Sequence, residues 1–375
     1  MLKVAIIGSR GIPNFYGGFE QFAEYVAVGL AERGHDITVY NSHTHPYQEK
    51  FWKGVKIVHC TDWEDRVGTA GQFLYDLNCI LHARKQDYDV ILQLGYTSSS
   101  VWGWLLPKQS VITTNMDGLE WKRTKYSKKV QRFLKFAEKL GVKYSNYLIA
   151  DSIGIQKYLQ KKYTKQSVYI PYGSHVFEDP DESTLGKYAV LPYGYDMLIA
   201  RLEPENSIEI ILDGVAAAGL RPFIVVGKHK TKYGEYLKQK YKAFDHIRFA
   251  GGIYDINILN NLRCFSNLYF HGHTVGGTNP SLLEAMGSSA LICAHNNVFN
   301  ESILNEDAFY FTDAAQVKEL VETIDKKSFS TMVSNNVCKI KELYNWDTII
   351  DQYEQHFLKI AKCAERQMVH NEIEI

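Results

Sequence analysis

The run Leu2-Lys3-Val4-Ala5-Ile6-Ile7 breaks at once into Gly8-Ser9-Arg10-Gly11-Ile12-Pro13, and Gly17-Gly18-Phe19-Glu20 follows ahead of a helical pattern. A short apolar run that ends in glycine and leads into a helix reads as a buried strand, its turn and the opening of a βαβ unit. The same grammar continues along the chain. Lys3 to Ile7, Asp36 to Tyr40, Val90 to Leu94, Val111 to Thr114, Tyr147 to Ala150 and Val168 to Ile170 read as strands. Phe19 to Glu32, Gln72 to Arg84 and Ile153 to Lys162 read as helices between them, with Ser127 to Leu140 as a further helical segment. The polar stretch Glu178-Asp179-Pro180-Asp181-Glu182-Ser183 interrupts the pattern as a linker would. Alternation then restarts with Asp196 to Ala200, a helix from Ile208, and strands at Phe223 to Val226, Ile247 to Phe249, Leu268 to His271 and Leu291 to Cys293. The expected class is α/β, with parallel-sheet domains over 1–178 and 179–344 and an amphipathic helix over 345–375 packing back on the first. Such sheets bind ligands at the carboxyl ends of their strands, and two facing sheets leave an interdomain cleft, so chemistry is sought in loops that follow strands.

Composition sets the outer limits. At 375 residues, 45% hydrophobic and 22% charged, the chain can fill about two full-sized cores, which excludes disorder and fibrous structure. Forty-two basic side chains balance forty-two acidic ones, so no global field attracts nucleic acid and no nucleic-acid partner is expected. The cysteines at 60, 79, 264, 293, 338 and 363 form neither a CxxC pair nor a framework, as suits free thiols in a reducing compartment. No metal site is expected from them. The opening run is too short for a signal peptide and no stretch nears about 18 apolar residues, so a cytoplasmic location is expected.

Four motifs follow strands. Gly17-Gly18 before a helix lets backbone amides approach an anion, although the glycine spacing and the second strand's end at Asn41 do not make a dinucleotide fingerprint. His271-Gly272-His273-Thr274-Val275-Gly276-Gly277-Thr278-Asn279-Pro280-Ser281-Leu282-Leu283-Glu284 runs from a strand into a helix, with Asn279 as the cap and Pro280 in the first turn. Glu284 lies where its carboxylate can accept vicinal ribose hydroxyls. Arg201, directly after a strand, can hold a diphosphate with a guanidinium that never deprotonates. Asn115-Met116-Asp117-Gly118-Leu119-Glu120-Trp121-Lys122-Arg123 supplies two carboxylates, an indole and two cations to hold sugar hydroxyls and stack a sugar face. Asp87-Tyr88-Asp89 precedes a strand and is read as structural, and no zinc, P-loop or nucleophile-elbow motif occurs. Between Lys122 and Lys143 nine cations face one acid, Glu138, while Val130, Phe133, Leu134, Ala137 and Leu140 keep helical spacing. That segment is either a core-packed helix with a solvated basic face or an attachment to anionic lipid.

Together, Gly17-Gly18-Phe19-Glu20, Arg201, the small-residue loop into Leu283-Glu284-Ala285-Met286 and Tyr344-Asn345-Trp346-Asp347 resemble the family-four retaining glycosyltransferases. More narrowly, Gly8 to Pro13, Asp117 to Arg123, Ala200 to Asn206 and Gly276 to Ser281 resemble the bacterial β-1,4-rhamnosyltransferase branch, whose members act on lipid-diphosphate-linked sugars in capsule and rhamnose-polysaccharide assembly. The resemblance implies a GT-B fold of two Rossmann-like domains facing a cleft. It implies no cofactor or metal, dTDP-L-rhamnose as donor and a lipid-linked saccharide as acceptor, met at the inner face of the plasma membrane. In this reading the diphosphate sits near Arg201, the Gly17-Gly18 turn and the Thr278 and Asn279 amides, the ribose at Glu284 and the base near Ile253 and Tyr254, with Glu20, His273 and Gly277 as further substrate-binding residues. Asp117 orients sugar or acceptor hydroxyls, with Glu120 and Trp121 supporting. Two departures stand out, because Gly276 occupies the first position of the family's E-x7-E and Asn206 that of its usual lysine. Transfer from a UDP-hexose and an inactive nucleotide-sugar-binding subunit are the alternatives.

Overall fold

A computed structural model describes residues 1–373 of the chain, with side chains through residue 364. Two compact units result. The first comprises Met1–Trp121, Lys128–Tyr172 and the chain from Trp346, the second Lys122–Ser127 and Gly173–Asn345.

The first unit is built on an eight-stranded sheet. Its strands are β1 (Lys3–Ile7), β2 (Asp36–Ser42), β3 (Phe51–Trp52), β4 (Val55–Cys60), β5 (Val90–Leu94), β6 (Val111–Asn115), β7 (Tyr147–Ala150) and β8 (Val168–Tyr169), in the order β3-β4-β2-β1-β5-β6-β7-β8. All neighbours are parallel except β3 with β4. Val4 to Ile7 and all of β5 are buried, as a central strand covered on both faces requires. The helix Trp346–Ile373 packs on the helix Gly18–Glu32 of this unit. A Cβ on Gly29 would lie 2.4 Å from Ile350 Cδ1, so the close approach needs glycine there. Tyr25 stacks on Trp346 at 4.3 Å, and Arg33 pairs with Asp351 at 2.6 Å and Glu354 at 2.8 Å. His356 Nε2 reaches Thr113 in the middle of β6 (3.0 Å), and Tyr353 reaches Asn115 at its carboxyl end (3.2 Å).

The second unit carries a six-stranded parallel sheet of β9 (Asp196–Ile199), β10 (Phe223–Val226), β11 (Ile247–Gly251), β12 (Leu268–His271), β13 (Ile292–His295) and β14 (Phe309–Phe311), in the order β11-β10-β9-β12-β13-β14. Its core joins Leu198, Phe223, Val225, Phe270 and Phe311 from the strands to Ile208, Ile211, Leu212 and Val317 from the flanking helices. The polar stretch read as a linker lies inside this unit: the Asp181 amide donates to Asn261 at 2.6 Å, and the chain then turns through a 3-10 helix, Glu182–Tyr188.

Strand order reverses at β1/β5 in one sheet and at β9/β12 in the other. At such a switch point successive loops leave toward opposite faces, and the gap at the carboxyl ends is where ligands bind in open parallel sheets. Buried polar side chains hold these loops. Gly11, at φ +119°, passes so close to Asn41 that a Cβ would sit 2.2 Å from its side chain. Asn41 accepts the Ile12 amide at 3.0 Å and donates to the Ile12 carbonyl at 2.7 Å, imitating a strand partner. Asn41→Ala leaves both buried groups unpaired and is expected to lower stability by roughly 2–4 kcal/mol in urea denaturation. A loss near zero would show that the loop finds other partners.

Candidate active site

At the β9/β12 switch point, the loop after β9 is closed by Asn206, whose amide nitrogen donates to the Arg201 carbonyl at 2.8 Å. Asn206 is thus a main-chain brace, and Arg201 stands exposed beside it. The Glu205 carboxylate is buried, with Oε2 3.2 Å from the Thr124 hydroxyl and Oε1 4.0 Å from the Arg123 guanidinium. Its carbonyl accepts the amide (3.2 Å) and hydroxyl (2.8 Å) of Thr274, which ties the loop after β9 to that after β12.

The loop after β12 begins with two stacked imidazoles, His271 and His273, 4.4 Å apart. Neither ring nitrogen of His271, nor Nδ1 of His273, has a hydrogen-bond partner among the described residues. Burial, then the charges of Arg201 and Arg123, push the His273 pKa down to about 3; burial, with His273 and Arg263 beside it, lowers that of His271 well below the usual range. Both rings are therefore neutral at ordinary pH and serve as hydrogen-bonding groups, not cations. The side-chain amides of Asn297 (3.0 Å) and Asn300 (3.2 Å) hold the His273 carbonyl. Gly276 has φ +149°, a backbone that L side chains rarely adopt, and open space where a Cβ would lie. Glycine at the first position of the motif therefore fits the path of this loop.

Asn279 caps the helix Pro280–Gly287 by accepting the Ser281 amide at 2.9 Å, and Gly277 and the buried Thr278 precede it. One turn on, Glu284 is gripped by Arg263 at 2.6 Å, whose side chain is 1% exposed. The ion pair fixes the carboxylate's direction through Oε2. Ile253 and Tyr254 follow β11, two strands from the switch point, and Tyr254 is 75% exposed.

In the first unit, the Gly17 amide is already engaged by Asn14 Oδ1 at 3.1 Å, while Gly18 opens its helix. Glu20, read as touching substrate, turns inward and accepts the Arg10 amide at 2.8 Å. Arg10 in turn forks onto Glu64 at 3.0 and 2.7 Å. Asp117 follows β6 in the left-handed region, φ +51°, with its amide donating to Asn115 Oδ1 at 3.0 Å; a strained, half-buried carboxylate at a strand end is a frequent mark of function. Glu120, also half-buried, begins a short 3-10 helix. Trp121 Nε1 donates to Glu138 at 3.0 Å, and Lys135 lies 4.2 Å over the ring, so that face is covered by a cation. Glu138, the lone acid of the basic segment, is buried and also accepts from Tyr158, Lys162 and Tyr163. Sequence reading missed Glu138, Glu205, Arg123 and Arg263 as organising groups. A solitary acid in a basic amphipathic helix was a readable signal for the first; Arg263 on its own helix carried none.

Comparison with known proteins agrees with this geometry. A family model described as a domain of unknown function (DUF1972) matches residues 1–175. No curated protein matches in sequence. Sucrose-phosphate synthase from Thermosynechococcus elongatus superposes with a TM-score of 0.78 at 17% identity, over 97% of this chain and 100% of that one. HepE from Anabaena, solved with UDP and glucose, gives 0.74 at 17% identity over 95% and 99%. The catalytic domain of starch synthase IV from Arabidopsis thaliana, bound to ADP and acarbose, gives 0.71 at 13% over 96% and 99%. The chain therefore has the GT-B glycosyltransferase fold of two parallel-sheet α/β units.

The imidazole burial has a pH signature. A histidine whose folded pKa is depressed lets the unfolded chain take up a proton first, so its contribution to stability is present above about pH 6.5 and is lost as pH falls toward the folded value. Asp196, raised to about 6 by burial against the pull of Arg221, acts in the opposite sense, so a difference measurement is needed. The melting-temperature advantage of the unmodified protein over His273→Gln is expected to shrink by several degrees between about pH 7.5 and about pH 5. An advantage independent of pH would mean that His273 titrates normally.

Proposed function

We propose that the chain is a retaining glycosyltransferase that takes L-rhamnose from dTDP-L-rhamnose to a hydroxyl of a lipid-linked saccharide in cell-surface polysaccharide synthesis, without a metal or cofactor. The observation that carries the transferase reading is the β9/β12 switch point, where Arg201 follows one strand and the helix cap at Thr278–Asn279, with Glu284 one turn on, follows its neighbour. HepE and starch synthase IV, the fold relatives solved with UDP and ADP, support a nucleoside diphosphate there. When the sugar–phosphate bond breaks, negative charge grows on the departing diphosphate. Arg201 and the Thr278 and Asn279 amides that precede the helix Pro280–Gly287 then gain more in the transition state than in the ground state. Glu284, aimed by Arg263, accepts ribose hydroxyls, and Asp117 orients a hydroxyl of the transferred sugar or acceptor. Retention follows if the acceptor arrives on the face that the diphosphate leaves, with a phosphate oxygen accepting its proton. Gly276 leaves no carboxylate at the position where the resembled family holds donor-sugar hydroxyls, which supports a donor, or a grip on it, unlike that of the usual hexose.

The experiment is transfer from dTDP-rhamnose to a short lipid-diphosphate saccharide, with the new anomeric configuration read by NMR. Retained rhamnosyl product is expected; transfer only from UDP-hexoses would move the donor assignment. Nucleotide binding without release would leave a binding subunit. Arg201→Ala is expected to lower turnover by about 100-fold, roughly 2.7 kcal/mol of barrier. Near-normal turnover would remove Arg201 from the site.

A lipid-linked acceptor also calls for a docking surface. Among the described residues no helix is long and apolar enough to cross a membrane. The helix Lys128–Tyr144 exposes Lys128, Lys129, Arg132, Lys135, Lys139 and Lys143, and beside them Val130 and Phe136 at 39% and 54% exposure, although Val130 had been expected on the packed face. Cations flanking exposed apolar side chains suit an anionic lipid surface, each contributing about 1 kcal/mol. Reversing Lys128, Lys129, Arg132 and Lys135 to Glu is expected to abolish sedimentation with phosphatidylglycerol vesicles while transfer to a soluble acceptor persists. Binding that survives, or that ignores salt, would make this an ordinary solvated face.

A further inference from the structure

A cavity of about 270 Å³ in the second unit lies away from the candidate active site. Tyr193, Cys264 and Ser289 line it from the segments that lead into β9, β12 and β13, so it sits at the amino ends of the strands, opposite the loops that follow β9 and β12. The 3-10 helix Lys326–Phe329 contributes Lys326 and Lys327 to its wall. The helix Ser330–Glu342, which continues from it, contributes Ser330 and Ser334, one turn apart. That wall holds two cations and no carboxylate.

We infer that this cavity binds the phosphate group of a small ligand, either a phosphate ester or phosphate itself. Lys326 is 8% exposed, and among the described residues its ammonium has one acceptor, the Cys264 carbonyl at 2.5 Å. An ammonium carries three donors, and burying it without a counter-ion is costly. Burial pushes its pKa down to about 8, so it is still charged at neutral pH. Lys327 is drawn to the same place, since the two ammonium nitrogens lie 5.5 and 5.8 Å from the centroid of the one Tyr193 ring. A single ring face is a weak offset for two like charges brought together. Neither lysine pairs with a carboxylate among the described residues. Asp325 caps the 3-10 helix by accepting the Lys327 amide at 3.0 Å, and Glu182, which acts on Tyr193, is exposed; both lie outside the lining. Tyr193 and Ser289 are both held in left-handed backbone, φ +60° and +56°, a strain that recurs where a chain grips a ligand. Ammonium and hydroxyl donors from several segments suit the many acceptor oxygens of a tetrahedral anion. A water molecule occupies about 30 Å³, so the cavity has room for a phosphate with a short carbon skeleton beside it.

The competing role is structural: Lys326 closes the last turn of the helix Ile256–Phe265 through the Cys264 carbonyl, and the cavity holds only water. Calorimetric titration and melting curves with inorganic phosphate and with glycerol 3-phosphate, against sodium chloride at matched ionic strength, separate the two. Saturable binding of either anion is expected, with a melting temperature raised by a few degrees at about 10 mM and no such rise with chloride. Lys327→Met removes an exposed side chain whose ammonium has no hydrogen-bond partner among the described residues, so it should leave the free protein's melting temperature nearly unchanged and weaken binding about 10-fold. Lys326→Met should weaken binding at least as much, while also stranding the Cys264 carbonyl and lowering stability. Arg201 can hold the same anions, so the titration is repeated on Arg201→Ala, where binding at this cavity should persist. Binding lost in Arg201→Ala, or unchanged by both lysine substitutions, would overturn the inference, as would no saturable binding of either anion. Glycerol 3-phosphate binding tighter than phosphate supports an ester as the ligand, and equal affinities support phosphate itself.

Discussion

A parallel sheet covered on both faces has one place to put polar chemistry, the carboxyl ends of its strands, and only where strand order reverses does that edge open. In this chain the reversals fall at β1/β5 and β9/β12. The loops that follow β1 and β12 are rich in glycine, with Gly8, Gly11 and Gly17 in one and Gly272, Gly276 and Gly277 in the other, and the loop after β9 carries Arg201. The candidate site is therefore a consequence of topology first and of residue identity second.

Those loops are shaped largely by buried side-chain bonds to main chain. Asn41 fastens Ile12, Glu20 fastens Arg10, Asn206 fastens Arg201, and Asn297 with Asn300 fastens His273. Each replaces a strand partner that the loop has given up, and each leaves an unpaired buried group when removed. Arg263 does the same for a carboxylate instead of a backbone, fixing the direction of Glu284. Rigid loops of this kind suit a reaction whose main demand is fixed charge around a leaving group.

The sequence was most legible where one physical signal dominated. β1, β5, β7, β10 and β12 are short, wholly apolar or nearly so, and end in turns, and their bounds match the expected ones. The strands Phe51–Trp52, Val55–Cys60 and Phe309–Phe311 were not read, since they are short or interrupted by lysine and histidine. Near the site, Arg201, Asn279 and Glu284 were legible because a strand end or a helix start announced them. Glu20 and Trp121 look like ligand groups in a linear reading, and the structure shows each bonded to the protein itself. Arg123 and Glu205 were illegible for the opposite reason: their meaning lies in a contact between residues 82 positions apart.

The central claim is that the β9/β12 edge is a nucleoside-diphosphate site. Calorimetric titration of the intact protein with UDP and ADP beside dTDP, in the presence of EDTA, tests it most directly. Saturable one-to-one binding of dTDP in the micromolar range, tighter than UDP and much tighter than ADP, is the result this account requires. No saturable binding of any of the three would contradict it.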